Sequence, residues 1–207
     1  MERGNTKREI LEASLELFSV QGYEATSVSQ IADSVGIRKA SLYSHFENKQ
    51  AILEALVKDI LRQYAEHSIF ARKNWGLSGE PAERLTPASA EKMILGQVYY
   101  ILHDPHVSKA RRMLVVEQFR NPELAELQTR QNYTDVLSFF TGFVQDLIRN
   151  GFLADDDAGV MAAQLCLPIS AWINLCDREP DREAEIMELV SRHIRQFFRI
   201  YRPEVRS

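Results

Sequence analysis

An all-α fold of about nine helices is what this sequence predicts. It would consist of a three-helix helix-turn-helix module followed by a larger helical domain. Three observations lead there. Apolar residues recur at three- and four-residue spacing along most of the 207 residues, with no alternating run that would make a strand. Capping side chains stand directly before proline at Thr86-Pro87, Asp104-Pro105 and Asn121-Pro122. Residues 36–53, GIRKASLYSHFENKQAIL, read as a tight turn, a very short helix, a second turn and the start of a longer helix.

The first helix spans 5–21, with Ile10, Leu11, Leu15, Leu17 and Phe18 on one stripe and Gly22 as its stop. Ser27 and Gln30 have the form of a capping box, so a helix starts at Val28; its apolar face is Val28, Ile31, Ala32 and Val35, and Gly36 ends it. A short helix follows over 38–45. Asn48 can cap a long helix carrying Ile52, Leu53, Leu56, Val57, Ile60, Leu61 and Tyr64 and running to about residue 71. Residues 74–85, with Gly76, Gly79 and Pro81, form an irregular connection.

Each X-Pro junction then ends one helix as it opens the next, because proline pushes the residue before it out of helical geometry. Helices over 87–103, 105–119 and 122–150 result, the last closed by Asn150-Gly151. Asp155 to Asp157 cap a helix over 157–177, and Asp181 opens one over 182–201. The expected division is a helix-turn-helix module over 1–48 and a larger helical domain over 49–207, with 49–71 as connecting helix.

Composition bounds the class. Apolar content of 45% with 26% charged residues suits a soluble globular protein. No apolar stretch of signal-peptide type follows the first residues, and 159–176, interrupted by Gln164, Pro168 and Asn174, is short for a bilayer. A cytoplasmic protein without a membrane partner is expected. Cys166 and Cys176 lie ten residues apart on one helix. That is ~15 Å of rise, beyond disulfide reach, so they are read as buried fillers.

Net charge is −4, and residues 1–50 hold six Lys or Arg against seven Asp or Glu. Only local arrangement can therefore favour nucleic acid. Between Gly36 and Lys49 the sole acid is Glu47. Leu42 and Phe46, one turn apart, would anchor the short helix, leaving Arg38, Lys39, Ser41, Tyr43 and His45 on its other sides. Cations in a first helical turn oppose the macrodipole at ~0.3–1 kcal/mol each. Arg38 and Lys39 open one helix this way and Lys49 the next. A phosphate docked there would turn each liability into a favourable contact.

Over residues 8–57 the chain resembles the tetracycline-repressor (TetR) family of bacterial one-component regulators. The resemblance runs through Gly22-Tyr23-Glu24-Ala25-Thr26-Ser27-Val28, Ile31-Ala32, Val35-Gly36-Ile37 and Leu42-Tyr43-Ser44-His45-Phe46, with Lys49 and Leu53. It implies that Thr26 and Ser27 contact backbone phosphates, that Lys39, Ala40 and Ser41 face base edges, and that Tyr43, His45 and Lys49 hold the flanking backbone. One departure is Arg38, where the family usually has a capping Ser or Thr. A cap worth ~1 kcal/mol is exchanged for a base or phosphate ligand.

The resemblance also implies a homodimer on a palindromic operator, with the two short helices ~34–36 Å apart in successive major grooves. The last two helices would form a four-helix bundle with their symmetry mates through Leu165, Ile169, Ile173, Ile186, Val190, Ile194, Phe197 and Tyr201. Tyr99, Tyr100, Met113, Phe119, Tyr133, Phe140 and Trp172 are the large side chains expected to line an effector cavity. Pro168 would kink its helix and could leave room for a ligand. The expected effector is small and largely apolar or aromatic. It would release a repressor from DNA by displacing the helix at 49–71.

Other readings are less well supplied. No glycine-rich phosphate loop, nucleophile elbow or paired carboxylate indicates an enzyme. His103, Asp104 and His106 lack a fourth ligand and read as a helix start, so neither metal nor cofactor is expected. The alternative that stays open is a helix-turn-helix regulator controlled by a protein partner instead of a small effector.

Overall fold

The computed structural model describes residues 3–67 and 86–204, and among these every regular element is helical. The elements are α1 (Arg3–Gln21), α2 (Val28–Val35), α3 (Lys39–Tyr43), α4 (Lys49–His67), α5 (Pro87–His103), α6 (Pro105–Glu117), α7 (Pro122–Thr129), α8 (Asp135–Arg149), α9 (Ala158–Arg178) and α10 (Glu183–Ile200). A π turn at Arg130–Thr134 joins α7 to α8 without a break, so the described residues hold nine continuous helical stretches. Expected ends hold to within a few residues. The π turn carries no signal that apolar spacing alone could reveal. Residues 68–71 of the long helix and the connection at 74–85 lie outside the described residues.

The capping chemistry does what the sequence asks of it. Ser27 Oγ accepts the Gln30 N–H at 3.2 Å, and Gln30 Oε1 accepts the Ser27 N–H at 2.8 Å. Gly36 closes α2 at φ +73°, its N–H reaching the Asp33 carbonyl and that of Ile37 reaching Ala32 at 2.9 Å. This is a Schellman stop, which needs a left-handed residue. Asn48 Oδ1 accepts the Ala51 N–H at 2.8 Å, and Asn121 Oδ1 accepts those of Glu123 and Leu124. Thr86 and Ser89 form a second capping box, and Asp157 Oδ1 takes the N–H groups of Gly159 and Val160.

Packing divides the described chain differently from the expected boundary at 48. Residues 3–67 with 105–128 form one compact unit, and 86–104 with 129–204 form a second. In unit one, α6 packs on α1, and Ala110, Met113, Leu114, Leu124 and Leu127 join the core built by Ile10, Phe18, Ile31, Leu42 and Ile52. The three-helix module therefore rests on α4, α6 and α7. Sequence spacing cannot show this, because which amphipathic faces meet is a tertiary choice.

In unit two, α8 packs on α9, and α10 on α5 and α9. Edge-to-face rings at Phe139, Phe140 and Phe143 fill one side of α8. Helix α9 is long and apolar enough to suit a bilayer, yet Met161, Ala162, Leu165, Cys166, Ile169, Ile173 and Cys176 are buried within the unit. Pro168 lies inside this helix without ending it. Burial pushes the Cys166 thiol up to about 11, which makes it an inert filler. Across the unit, Glu91 accepts hydrogen bonds from Ser191 Oγ at 2.7 Å and Arg195 Nε at 2.9 Å.

Candidate nucleic-acid interface

A helix of five residues cannot hold itself together in water, since nucleation costs more than so few bonds return. Helix α3 is held from beneath. Leu42 and Phe46 are buried in the unit-one core, each contributing about 1.5–3 kcal/mol by area. Their burial turns Arg38, Lys39, Ala40, Ser41 and Tyr43 outward, all exposed, with His45 half-buried. Arg38 takes the N-cap position with no side-chain cap bond, as expected of a residue that cannot accept. Lys39 Nζ lies 6.0 Å from the Tyr43 ring centroid.

Two acids of α1 are ion-paired within unit one: Glu16 with Lys109 of α6 and Glu12 with Arg8. A further exposed cation lies outside the motif, against Phe46. Lys7 of α1 places Nζ 5.3 Å from the Phe46 ring centroid. Nothing in the spacing of residues 36–49 points to it.

Two expected phosphate ligands are otherwise engaged. Thr26 is 1% exposed; its hydroxyl donates to the Gly22 carbonyl at 2.7 Å and accepts from Gln21 Nε2 at 3.0 Å. It fastens the α1–α2 turn and has no surface to offer DNA. Lys49 donates its ammonium protons to the carbonyls of Tyr23 at 2.7 Å, Thr26 at 2.9 Å and Glu24 at 3.4 Å. It also lies 4.2 Å from the Tyr23 ring centroid. The cation at the head of α4 is thus compensated by backbone carbonyls, which the sequence reading assigned to a phosphate. Ser27 keeps its place at the surface: its oxygen caps α2 while its own proton remains to be donated.

The expected effector residues divide between the two units. Met113 is fully buried in the core of unit one, and Phe119, in the same unit, is 89% exposed. Within unit two, Tyr99 and Tyr133 are exposed, Tyr100 is half-buried and Phe140 is core. Trp172 lines an open groove of about 750 Å³ with Leu189, Arg192, His193, Arg195, Gln196 and Arg199. The groove is more cationic than the apolar cavity expected. Large aromatics at helical spacing serve as core or surface equally well, so size alone misassigned them.

The dimer residues need a similar correction. Leu165, Ile169, Ile173, Ile186, Val190, Ile194 and Phe197 are all buried within a single chain's unit two, and Tyr201 is half-buried. A side chain already withdrawn from water adds no area to a partner. The outward stripes are Val160, Gln164 and Ala171, with half-buried Leu167, on α9, and Gln196 and Ile200, with half-buried Leu189 and His193, on α10. Val160 is 52% and Ile200 62% exposed, large values for apolar side chains.

Residues 10–56 match the family model described as bacterial regulatory proteins, tetR family, and 92–203 match that of the AefR-like transcriptional repressor C-terminal domain. The second match alone covers more than half of the chain. This chain belongs to the TetR family. Its C-terminal half, outside the 8–57 resemblance, carries a family signature of its own.

Among relatives, the TetR-family chain is 30% identical over 134 residues to the HTH-type transcriptional repressor KstR2 of Mycolicibacterium smegmatis, 62% of each chain. It is 48% identical over 52 residues to IcaR of Staphylococcus aureus, the negative regulator of the biofilm operon icaADBC, covering 25% of this chain and 28% of that one. The matches thus span less than two thirds of these relatives' length. The SmeT–triclosan complex shares the fold at a TM-score of 0.62 and 18% identity, over 97% of this chain and 93% of that one. The families and relatives are transcriptional regulators, not enzymes.

Proposed function

We propose that this protein is a cytoplasmic, ligand-responsive repressor that binds a palindromic operator as a homodimer. The observation that carries the DNA reading is the exposed set Arg38, Lys39, Ser41 and Tyr43 on a helix fixed from below by Leu42 and Phe46. Side chains on so short a helix, with the adjacent acids of α1 engaged elsewhere, suit a major groove bounded by phosphates. Lys7 and Ser27 extend the contact along the backbone. Arg38 and Lys39 are the base-edge or phosphate ligands of the set, with Ala40 and Ser41 facing base edges alongside them.

Dimerisation uses the outward stripes of α9 and α10, with Val160, Leu167, Leu189 and Ile200 as the apolar part. Repression is supported by KstR2 and IcaR, both named as negative regulators or repressors. A small apolar effector is supported by SmeT, which carries triclosan on the same fold. Selection from a randomised duplex pool tests the reading. A palindromic consensus bound with strong salt dependence, and made permissive at one position in Arg38→Ala, is expected. Failure to enrich any sequence over random duplex would reject it.

A further inference from the structure

The backbone of Tyr23 is gripped from two sides. Its N–H donates to Glu117 Oε1 of α6 at 2.8 Å, and its carbonyl accepts from Lys49 Nζ of α4 at 2.7 Å. Glu117 is only 2% exposed, a burial that ionisable side chains rarely tolerate without a purpose-built partner. The neighbouring residue is shaped to admit it. Gly22 sits at φ +83°, and a Cβ there would lie 2.9 Å from Glu117 Oε1 and 3.3 Å from Val116 Cγ1. The Tyr23 ring is fixed as well, edge-on to Phe18 at 5.4 Å and with its hydroxyl donating to Gln50 at 3.1 Å.

This turn sets where α2 begins, and α2 carries α3 through the Gly36 stop. The tilt of the reading helix therefore depends on how the turn is held. We propose that Glu117 is a positioning residue for DNA binding. Its carboxylate, contributed by a helix outside the helix-turn-helix, holds the Gly22–Thr26 turn against the pull of Lys49 and so fixes the attitude of α2 and α3. It touches no nucleotide; it acts through the Tyr23 amide. The inference rests on the DNA-binding reading given above.

The experiment uses the full chain and a duplex that wild-type protein selects from a randomised pool. Anisotropy titrations are run at a temperature where every variant is folded, beside thermal unfolding and native-state hydrogen exchange at the Tyr23 amide. Glu117→Ala is expected to bind at least about tenfold more weakly, with Tyr23 exchange accelerated. Glu117→Gln keeps an acceptor oxygen and should stay within about threefold of wild type. Leu114→Ala, which empties a fully buried site on the same helix, should lower the unfolding midpoint yet leave affinity within about threefold.

If the alanine variant does not fold, Glu117→Asp replaces it, shortening the reach by one methylene at constant charge, with the same expectation. Affinity unchanged in Glu117→Ala or Glu117→Asp, or lost equally in Leu114→Ala, overturns the positioning role alone. A wild-type protein that selects no duplex overturns the DNA-binding reading and this inference with it.

Discussion

The Lys49 ammonium lies 2.7 Å from the Tyr23 carbonyl oxygen and 4.2 Å from the centroid of the Tyr23 ring, so this cation binds its own chain. Hydrogen bonds from a charged donor are worth ~1.5–3 kcal/mol, and a cation over an aromatic face ~0.5–1 kcal/mol where partly solvated. Lys49→Ala is accordingly expected to destabilise unit one by ~2–3 kcal/mol. In chemical denaturation the midpoint should fall. The salt slope of DNA binding by the folded protein should stay unchanged. A slope lowered by about one with stability intact would return Lys49 to the phosphate.

The exposed cations behave oppositely. Each phosphate neutralised releases counterions, so log K falls with log salt at ~0.9 per contact. Lys39→Ala and Lys7→Ala should each reduce that slope by ~0.9 per subunit, with unfolding within ~0.5 kcal/mol of wild type, as for surface substitutions generally. Arg38→Ala is expected to alter preference among sequences. A bidentate contact to a base edge carries ~1–3 kcal/mol of discrimination, so one operator position should become permissive on reselection. Uniform weakening on all duplexes would instead make Arg38 a backbone ligand.

Lys49 and Thr26 mark the limit of reading a site from a sequence. Helix starts at Val28, Lys49, Pro87, Pro105 and Pro122 were legible because a cap is a local chemical agreement between residues two or three apart. Leu42 and Phe46 were legible because one-turn spacing forces a shared face. Whether Lys49 meets a phosphate or a carbonyl depends on a turn some 25 residues upstream, and no local pattern encodes that distance. Glu117 was invisible for the same reason, its partner being 94 residues away. The dimer residues failed differently. Apolar periodicity identifies a buried face, but not whether the chain or its copy does the burying.

Glu91 supplies a pH test within unit two. The hydrogen bond from the Arg195 guanidinium holds its carboxyl below the ordinary 4.5; burial opposes this, and the Ser191 hydroxyl assists. A carboxylate depressed in the folded state contributes stability that is present above its unfolded value and lost as pH falls through the folded one. Arg195→Ala should thus lower the thermal midpoint at about pH 7. The gap from wild type should shrink as pH falls below the ordinary carboxylate range and passes through the lowered folded value, where protonation removes the pair. The Arg195 side chain is largely solvated, so the change at neutral pH will be small. A gap that persists undiminished in acid would assign the loss to packing of the Arg195 stem.

The last expectation concerns the partner-facing side of unit two. If α9 and α10 pair with their mates through the outward stripes, a charge placed there must be desolvated on association. A charge placed among the inward residues instead damages the monomer. Val160 and Ile200 are exposed, so Val160→Glu and Ile200→Glu should leave helicity and the monomer's unfolding behaviour intact. Each substitution enters a two-fold interface twice, and a buried unpaired charge costs several kcal/mol, so association should weaken by at least about a hundredfold. Sedimentation velocity at micromolar protein should then show monomer for these variants and dimer for wild type. DNA affinity should fall with the loss of the second reading head, because two tethered contacts gain from each other's local concentration. Wild-type protein that sediments as a monomer, or dimers that persist in both glutamate variants, would move the interface to another face.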